Sequence, residues 1–410
     1  MSGPSAEVMA TLFNPFSPEF RADPYPLYAR LREATAATGT PFGSVIVTRY
    51  EPVDRVLRSS GFRTPRGYRD PDDPAGSRVY DPNGVLSRHR RHWILFQSGE
   101  THARLRRLIT KVFTPRAVRE LAPRIEQIVD RLLAPALERG SMEVIADLAY
   151  PLPSIVICEL LGIPESDREL NRTWAAVIAS TLDPITTDSQ VAAAERAMVE
   201  WDAYMRAFLA ERRARPGDAL LDAMLAVEDD GSRLSEDEVA ANATFLFAAG
   251  HETTTNLIGN GLLALLRHPS QLAILRAESG AMENAIEELL RFDSPVQFSG
   301  RVALEATDIE GARVEPGIVV MLALGCANRD PRRYQRPDEL DVRRPDIKPL
   351  SFGGGPHYCV GAALARLEGR IAFTRLLAQA RSIELATDRP AWRTTLNLRA
   401  LDRLDVALSP

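Results

Sequence analysis

The stretch Ser351-Phe352-Gly353-Gly354-Gly355-Pro356-His357-Tyr358-Cys359-Val360-Gly361 constrains this chain more than any other. Three consecutive glycines permit backbone conformations that other residues avoid and let the main chain approach a ligand closely. Past Gly361 the pattern turns helical, with Leu364, Leu367 and Ile371 at spacings of three and four. Cys359 therefore stands where a tight loop runs into a helix N-terminus. Unpaired N–H groups and the helix dipole favour an anion there, a setting that lowers a cysteine's pKa.

A thiolate so placed has three uses. A structural zinc site wants about four ligands, yet the other cysteines, Cys158 and Cys326, have no metal-type spacing. A nucleophile with His357 as its base is geometrically possible but leaves the glycine run unexplained. The third use is as the single axial thiolate of a haem iron, the ligand that favours O–O cleavage.

Phe352-Gly353-x-Gly355-x-His357-x-Cys359-x-Gly361 resembles, position for position, the haem-binding loop of the cytochrome P450 superfamily. The resemblance implies one domain over residues 1–410, mainly α-helical with a small β-rich lobe near the N-terminus. Haem b (iron protoporphyrin IX) would lie between a long central helix and the helix after Cys359, with Cys359 as the metal ligand.

The bounds agree. The 410 residues, 45% hydrophobic and 26% charged, have the profile of a globular protein. A net charge of −5 calls for no nucleic acid. Cys158 and Cys326 lie in apolar runs, as core cysteines of a reducing cytoplasm do. Residues Met1 to Pro18 lack a signal-peptide pattern, and no apolar run approaches the ~20 residues of a membrane span. The expectation is a cytoplasmic, bacterial-type monomer with no membrane anchor and no fused reductase. Electrons would come from a separate ferredoxin or flavodoxin and its NAD(P)H-dependent reductase.

Along the chain, Ser44 to Thr48 reads as a strand and Glu51 to Arg58 as a short helix. Arg63 to His92 is an arginine-rich loop of unusual length, which in the resembled fold would roof the substrate pocket. Helices are expected from Pro115 to Glu138 without a break, from Leu152 to Leu161, and twice between Glu165 and Arg215 with a separation near Asp183-Pro184-Ile185. Others cover Asp218 to Val227, Gln271 to Arg276 and Met282 to Phe292, and strands cover Val296 to Val302, Ile309 to Val314 and Val319 to Leu322. The C-terminal segment alternates enough for a hairpin or two. The central helix begins at Ser235 as N-cap, with Glu236, Asp237 and Glu238 in its first turn, and runs to about Arg267.

Inside that helix stands Ala249-Gly250-His251-Glu252-Thr253-Thr254. Gly costs a helix about 1 kcal/mol against Ala, so Gly250 needs a reason: close helix packing, or space beside the helix. Ala249-Gly250-x-Glu252-Thr253 is similar to the family's oxygen-activation motif. Carried over, Glu252 and Thr253 form the catalytic acid–alcohol pair, with His251 outside the chemistry and O2 as co-substrate. His102 and Arg106, one helical turn apart, would bind the two haem propionates, with Arg301 and His357 filling the remaining propionate positions. Ala249, Gly250, Phe352, Gly353 and Gly361 complete the cofactor cradle. Glu288 and Arg291, three apart on a helix, would be the family's buried structural pair, with Arg343 or Arg344 as a third partner. Arg104, Arg107, Lys111, Arg366 and Arg370 read either as a solvated surface or as a patch for an acidic electron carrier.

The pocket residues implied are Phe245, Ala248 and Ala249, then Val296 and Gln297, then Leu396 and Asn397, with Leu86 and Ile94 in the roof and Ile178 and Leu182 between the paired helices. They suit a small apolar substrate. The activity implied is insertion of one oxygen atom from O2 into a C–H bond, by hydroxylation or epoxidation. A peroxygenase fed by hydrogen peroxide would not need the Glu252–Thr253 relay, and a haem sensor would leave it idle. Two departures from the family pattern stand out: Ser98-Gly99-Glu100-Thr101 before His102, which puts the local helix start in question, and Pro349 where a histidine is usual.

Overall fold

Strand pairing begins where the β-branched run Val45-Ile46-Val47 is buried along its whole length. The backbone N–H and C=O groups of a buried strand need partners on both edges. Ala37–Gly39 supplies one, antiparallel, and Val319–Ala323 the other, parallel. Phe298–Ala303 then pairs antiparallel with Val319–Ala323. The computed structural model describes residues 17–66, 81, 83–183 and 186–409. Half of the long Arg63–His92 segment (67–80 and 82) and the expected break at Pro184-Ile185 lie outside them, and the described part corrects the expected loop, since Val85–Arg90 is a helix.

The chain falls into two compact units. The first contains the described residues up to Phe62, Ala122–Leu152 and Thr253 onwards, and the second contains Arg63–Leu121 and Pro153–Glu252. In the first, the β-lobe above packs with the helix Tyr50–Arg58 around Val47, Val53, Val320 and Leu322. Thr307–Ile309 and Ala312–Val314 form a tight hairpin, with Glu310 at φ 52° and Gly311 at φ 86° in its turn. The C-terminus gives one ribbon, Ala391–Trp392 with Leu401–Arg403, and a three-stranded sheet in which Asp405–Ser409 pairs with both Ser382–Leu385 and Ser141–Glu143. The helix after the cysteine, Ala362–Gln379, packs on Ala122–Arg139, where Arg375 and Gln379 both donate to Asp130.

The second unit is helical. Arg168–Ala179 and Asp188–Ala214 lie side by side, and an edge-on contact between Trp174 and Trp201 at 5.9 Å seals them. The central helix runs from Glu236 to Arg267, and the boundary between the units falls within it. Its start is a reciprocal cap: Glu238 N–H donates to Ser235 Oγ at 3.1 Å, and Ser235 N–H to Glu238 Oε2 at 2.9 Å. One expected helix is corrected. Pro115 to Glu138 is two helices, Pro115–Glu120 and Ala122–Arg139. Pro123 has no N–H to give the carbonyl of Arg119, so a continuous helix would lose a bond there. No helix among the described residues is long and apolar enough to cross a membrane.

Candidate active site

In the first unit the cysteine loop is built by glycine and held by a hidden polar chain. Gly353 lies at φ 69°, ψ −152°, a region open essentially to glycine alone. Gly355, at φ 64°, presses against the helix Tyr50–Arg58, and a Cβ there would stand 2.6 Å from Leu57 O. Cys359 N–H donates to Phe352 O at 3.0 Å, which closes the loop, and Ala362 opens the helix. The Cys359 thiol is exposed. Arg366 stacks 4.5 Å from the Phe352 ring centre and donates to Tyr358 Oη at 2.9 Å, fixing the loop to the helix that follows.

The support beneath the loop was legible only in part. Glu288 and Arg291 are fully buried and doubly bonded at 2.7 and 2.8 Å. The third partner is Arg344, 3.1 Å from both Glu288 oxygens, whereas Arg343 pairs with Glu278 at the surface. Arg291 also donates to Asn328 O at 3.0 Å. Asn328 in turn receives Leu350 N–H at 2.7 Å and donates to Ser351 Oγ at 3.0 Å. Ser351 completes the chain by donating to Leu290 O at 2.6 Å. Asn328 and Ser351 are the functional supports that sequence reasoning missed. Their only signal was adjacency, Ser351 to Phe352 and Asn328 to Arg329-Asp330.

Arg301, also in this unit, is 5% exposed and donates only to Ser299 Oγ and Gly300 O among the described residues. Burial pushes its guanidinium down to about 10, the direction expected of a cation lacking an anion. His357 and Thr253 are partly exposed. Val296 and Asn397 keep some surface, whereas Gln297 and Leu396 are buried. The Gln297 carboxamide donates to Ser294 O at 2.6 Å.

In the second unit the helix Gly99–Val112 begins on Gly99 at φ 59°, so the Ser98-Gly99 departure still yields a helix start in front of His102. His102 is buried and Arg106, one turn on, is partly exposed. Gly250 is exposed within a largely buried helix, and a Cβ placed on it would meet nothing nearer than Ile157 Cδ1 at 4.0 Å. Close packing is therefore not what Gly250 is for; it borders open space. Phe245, Ala249 and Glu252 keep part of their surface on the same helix. His251 is buried, its Nδ1 3.0 Å from Phe247 O, which leaves it a helix-internal contact. Leu182 is partly exposed, while Leu86, Ile94, Ala248 and Ile178 are buried.

The basic residues that read either as a solvated surface or as a patch for an electron carrier are largely paired within each unit. Arg104 binds Glu238, and Arg107 and Lys111 share Asp229. Arg366 is held by Glu287. Arg370 is exposed.

The residues present fit a haem. One unit offers an exposed thiol on a glycine-built loop and a buried guanidinium with no carboxylate partner among the described residues. The other offers a glycine beside open space and a His–Arg pair one turn apart. A mainly helical fold with an exposed thiol on a glycine-built loop at a helix start is what the class of haem-thiolate proteins presents. The sequence model described as Cytochrome P450 matches residues 72–388. The chain is 38% identical to the vitamin D(3) 25-hydroxylase of Pseudonocardia autotrophica, over 96% of each chain. It is 37% identical to the cytochrome P450 monooxygenase PikC of Streptomyces venezuelae, over 95% of this chain and 92% of that one. The solved structure of P450BioI in complex with hexadec-9Z-enoic acid ligated acyl carrier protein matches with a TM-score of 0.90 and 36% identity, over 95% of this chain and 99% of that one. This protein belongs to the cytochrome P450 family. It is an oxidoreductase of the monooxygenase type, and the family implies haem iron and O2.

Proposed function

We propose that the chain is a haem b monooxygenase that inserts one oxygen atom from O2 into a C–H bond of a small apolar organic molecule, by hydroxylation or epoxidation. Haem bound through the Cys359 thiolate supplies O–O cleavage and oxidation of the substrate. The chain's own residues bind, orient and move protons. Cys359 holds the iron, and His102, Arg106, Arg301 and His357 neutralise the two propionates. Gly250 and Ala249 leave room beside the central helix. Thr253 holds a proton-bearing water next to the reacting oxygen, and Glu252 carries protons in from solvent. The work is done by a single domain in the cytoplasm, acting as a monomer. A separate ferredoxin or flavodoxin with its NAD(P)H-dependent reductase provides the electrons.

The observation that carries this reading is the exposed Cys359 thiol behind Gly353 and Gly355, whose backbone no other residue type would adopt at comparable cost. One relative is a vitamin D(3) 25-hydroxylase and the solved neighbour is in complex with hexadec-9Z-enoic acid ligated acyl carrier protein, so apolar substrates with long carbon skeletons are the first to screen. The test is the carbon monoxide difference spectrum of the reduced protein. A strongly red-shifted Soret band that disappears in Cys359→Ala is the expected result. A band where histidine-ligated haem absorbs, or none, would withdraw the roles given to Thr253, Arg106 and His357.

A further inference from the structure

Arg399 belongs to no motif, yet its side chain is held on several sides at once. It is 8% exposed. Its Nε donates to Asp293 Oδ1 at 2.6 Å, and its two terminal nitrogens donate to Arg21 O at 2.8 Å and Ala22 O at 3.1 Å. The guanidinium lies 3.7 Å from the Trp392 ring centre. Asp293 is engaged a second time by Tyr25 Oη at 2.8 Å. One planar cation thus ties the N-terminal segment, the end of the helix Met282–Phe292 and the C-terminal segment together.

Its backbone is fixed as firmly. Arg399 N–H donates to Pro295 O at 2.9 Å, and its carbonyl receives Asn260 Nδ2 of the central helix at 2.8 Å. The two segments it joins also pair directly: Val296 bridges Leu398, and Gln297 N–H donates to Asn397 O at 2.8 Å. Residues 295–297 and 397–399 therefore form one short ladder, and they include Val296, Gln297 and Asn397, which the family resemblance places along the substrate pocket.

We propose that Arg399 is a positioning residue for substrate selection, setting the register of this two-segment wall through Asp293 and the carbonyls of Arg21 and Ala22. A buried ion pair adds little stability over a well-packed apolar substitute, but a guanidinium offers donors in a rigid fork. That fork can satisfy a carboxylate and two carbonyls only in one arrangement of the three segments. The inference rests on the pocket reading given above.

The test compares wild type, Arg399→Ala, Arg399→Lys and Asp293→Asn, all haem-loaded, with two nitrogen ligands titrated by calorimetry and by the Soret shift together. Imidazole is too small to reach beyond the iron, whereas clotrimazole fills a pocket. Arg399→Ala and Asp293→Asn are expected to weaken clotrimazole by ~10-fold, the effect typical of lost supporting contacts, with imidazole unchanged. Arg399→Lys keeps the charge but not the fork and restores part of the loss. If the variants merely melt earlier, with the ratio of the two affinities unchanged, the positioning role is overturned. An equal loss for both ligands overturns it as well. Heat of binding without any Soret shift in wild type would refute the haem reading instead, and the calorimetric ratio would still decide the role of Arg399.

Discussion

Glycine carries two opposite meanings in this chain, and substitution separates them. At Gly250 a methyl group would meet only Ile157 Cδ1, at 4.0 Å, a loose contact that calls for no shift. Gly250→Ala is therefore expected to raise thermal stability, by about 0.5–1 kcal/mol of helix propensity, while weakening ligand binding at the space it fills. At Gly261 a Cβ would come within 2.9 Å of Phe373 Cζ, on a ring with no exposed surface. Gly261→Ala is expected to cost about 1–3 kcal/mol in denaturant unfolding. Glu368 offers a pH test. It is 2% exposed, and burial pushes its carboxyl up to about 8 against the pull of the Thr254 hydroxyl. Between the unfolded value near 4.3 and that value, the folded chain keeps a proton that the unfolded chain has released. Its stabilising contribution is thus complete below about pH 4.3 and is lost as pH rises towards 8, by on the order of 1.4 kcal/mol per unit. Glu368→Gln, which stays neutral, should gain more in melting temperature over wild type at pH 8 than at pH 5.

At the scale of elements, buried charge and surface charge give contrasting outcomes. Arg344→Ala strips Glu288 of one of its two cations and takes away the donor that bonds the carbonyl of Arg336 at 3.2 Å, while the Glu339 carbonyl keeps only Arg291. A loss of ~3 kcal/mol or more in unfolding free energy is expected, with reduced haem retention because Arg291 also steadies Asn328 beneath the cysteine loop. Arg343→Ala, one residue away on the surface, should stay within about 0.5 kcal/mol of wild type. The sequence could not choose between these two arginines, because the choice is made by the path of an irregular segment that has no periodicity. Where a local rule governs, reading was reliable. The Ser235 cap, the long central helix and the strands at Val45, Val319 and Phe298 all follow from patterns a few residues wide. Pro123 was a local signal too, and the apolar spacing running past it obscured it. Asn328, Ser351 and Arg399 act through partners far away in sequence, up to 378 positions for Arg399 and Arg21, and no short pattern marks such residues.

At the scale of the whole molecule, the charge pairing bears on electron delivery. Arg104 and Arg366 each pair with a carboxylate of their own unit, and Arg107 and Lys111 share Asp229, so the field left to steer an acidic carrier is weakened. Reduction by a surrogate ferredoxin is expected to slow by less than about 10-fold between ~0.05 and ~0.5 M salt; a steeper fall in stopped-flow traces would show that these pairs open on encounter. The close fit of Gly355 against Leu57 has a separate consequence, for heredity. The helix Tyr50–Arg58 lies some three hundred residues upstream of the loop it touches, and the backbone of each has become the mould of the other. A mutational scan scored on oxygenation would mark Gly355 as intolerant of every replacement, as severely as Cys359, although Gly355 has no side chain to offer the chemistry. In such a scan a residue's importance and its part in the reaction come apart, and only the shape of the gap it fills tells which one was measured.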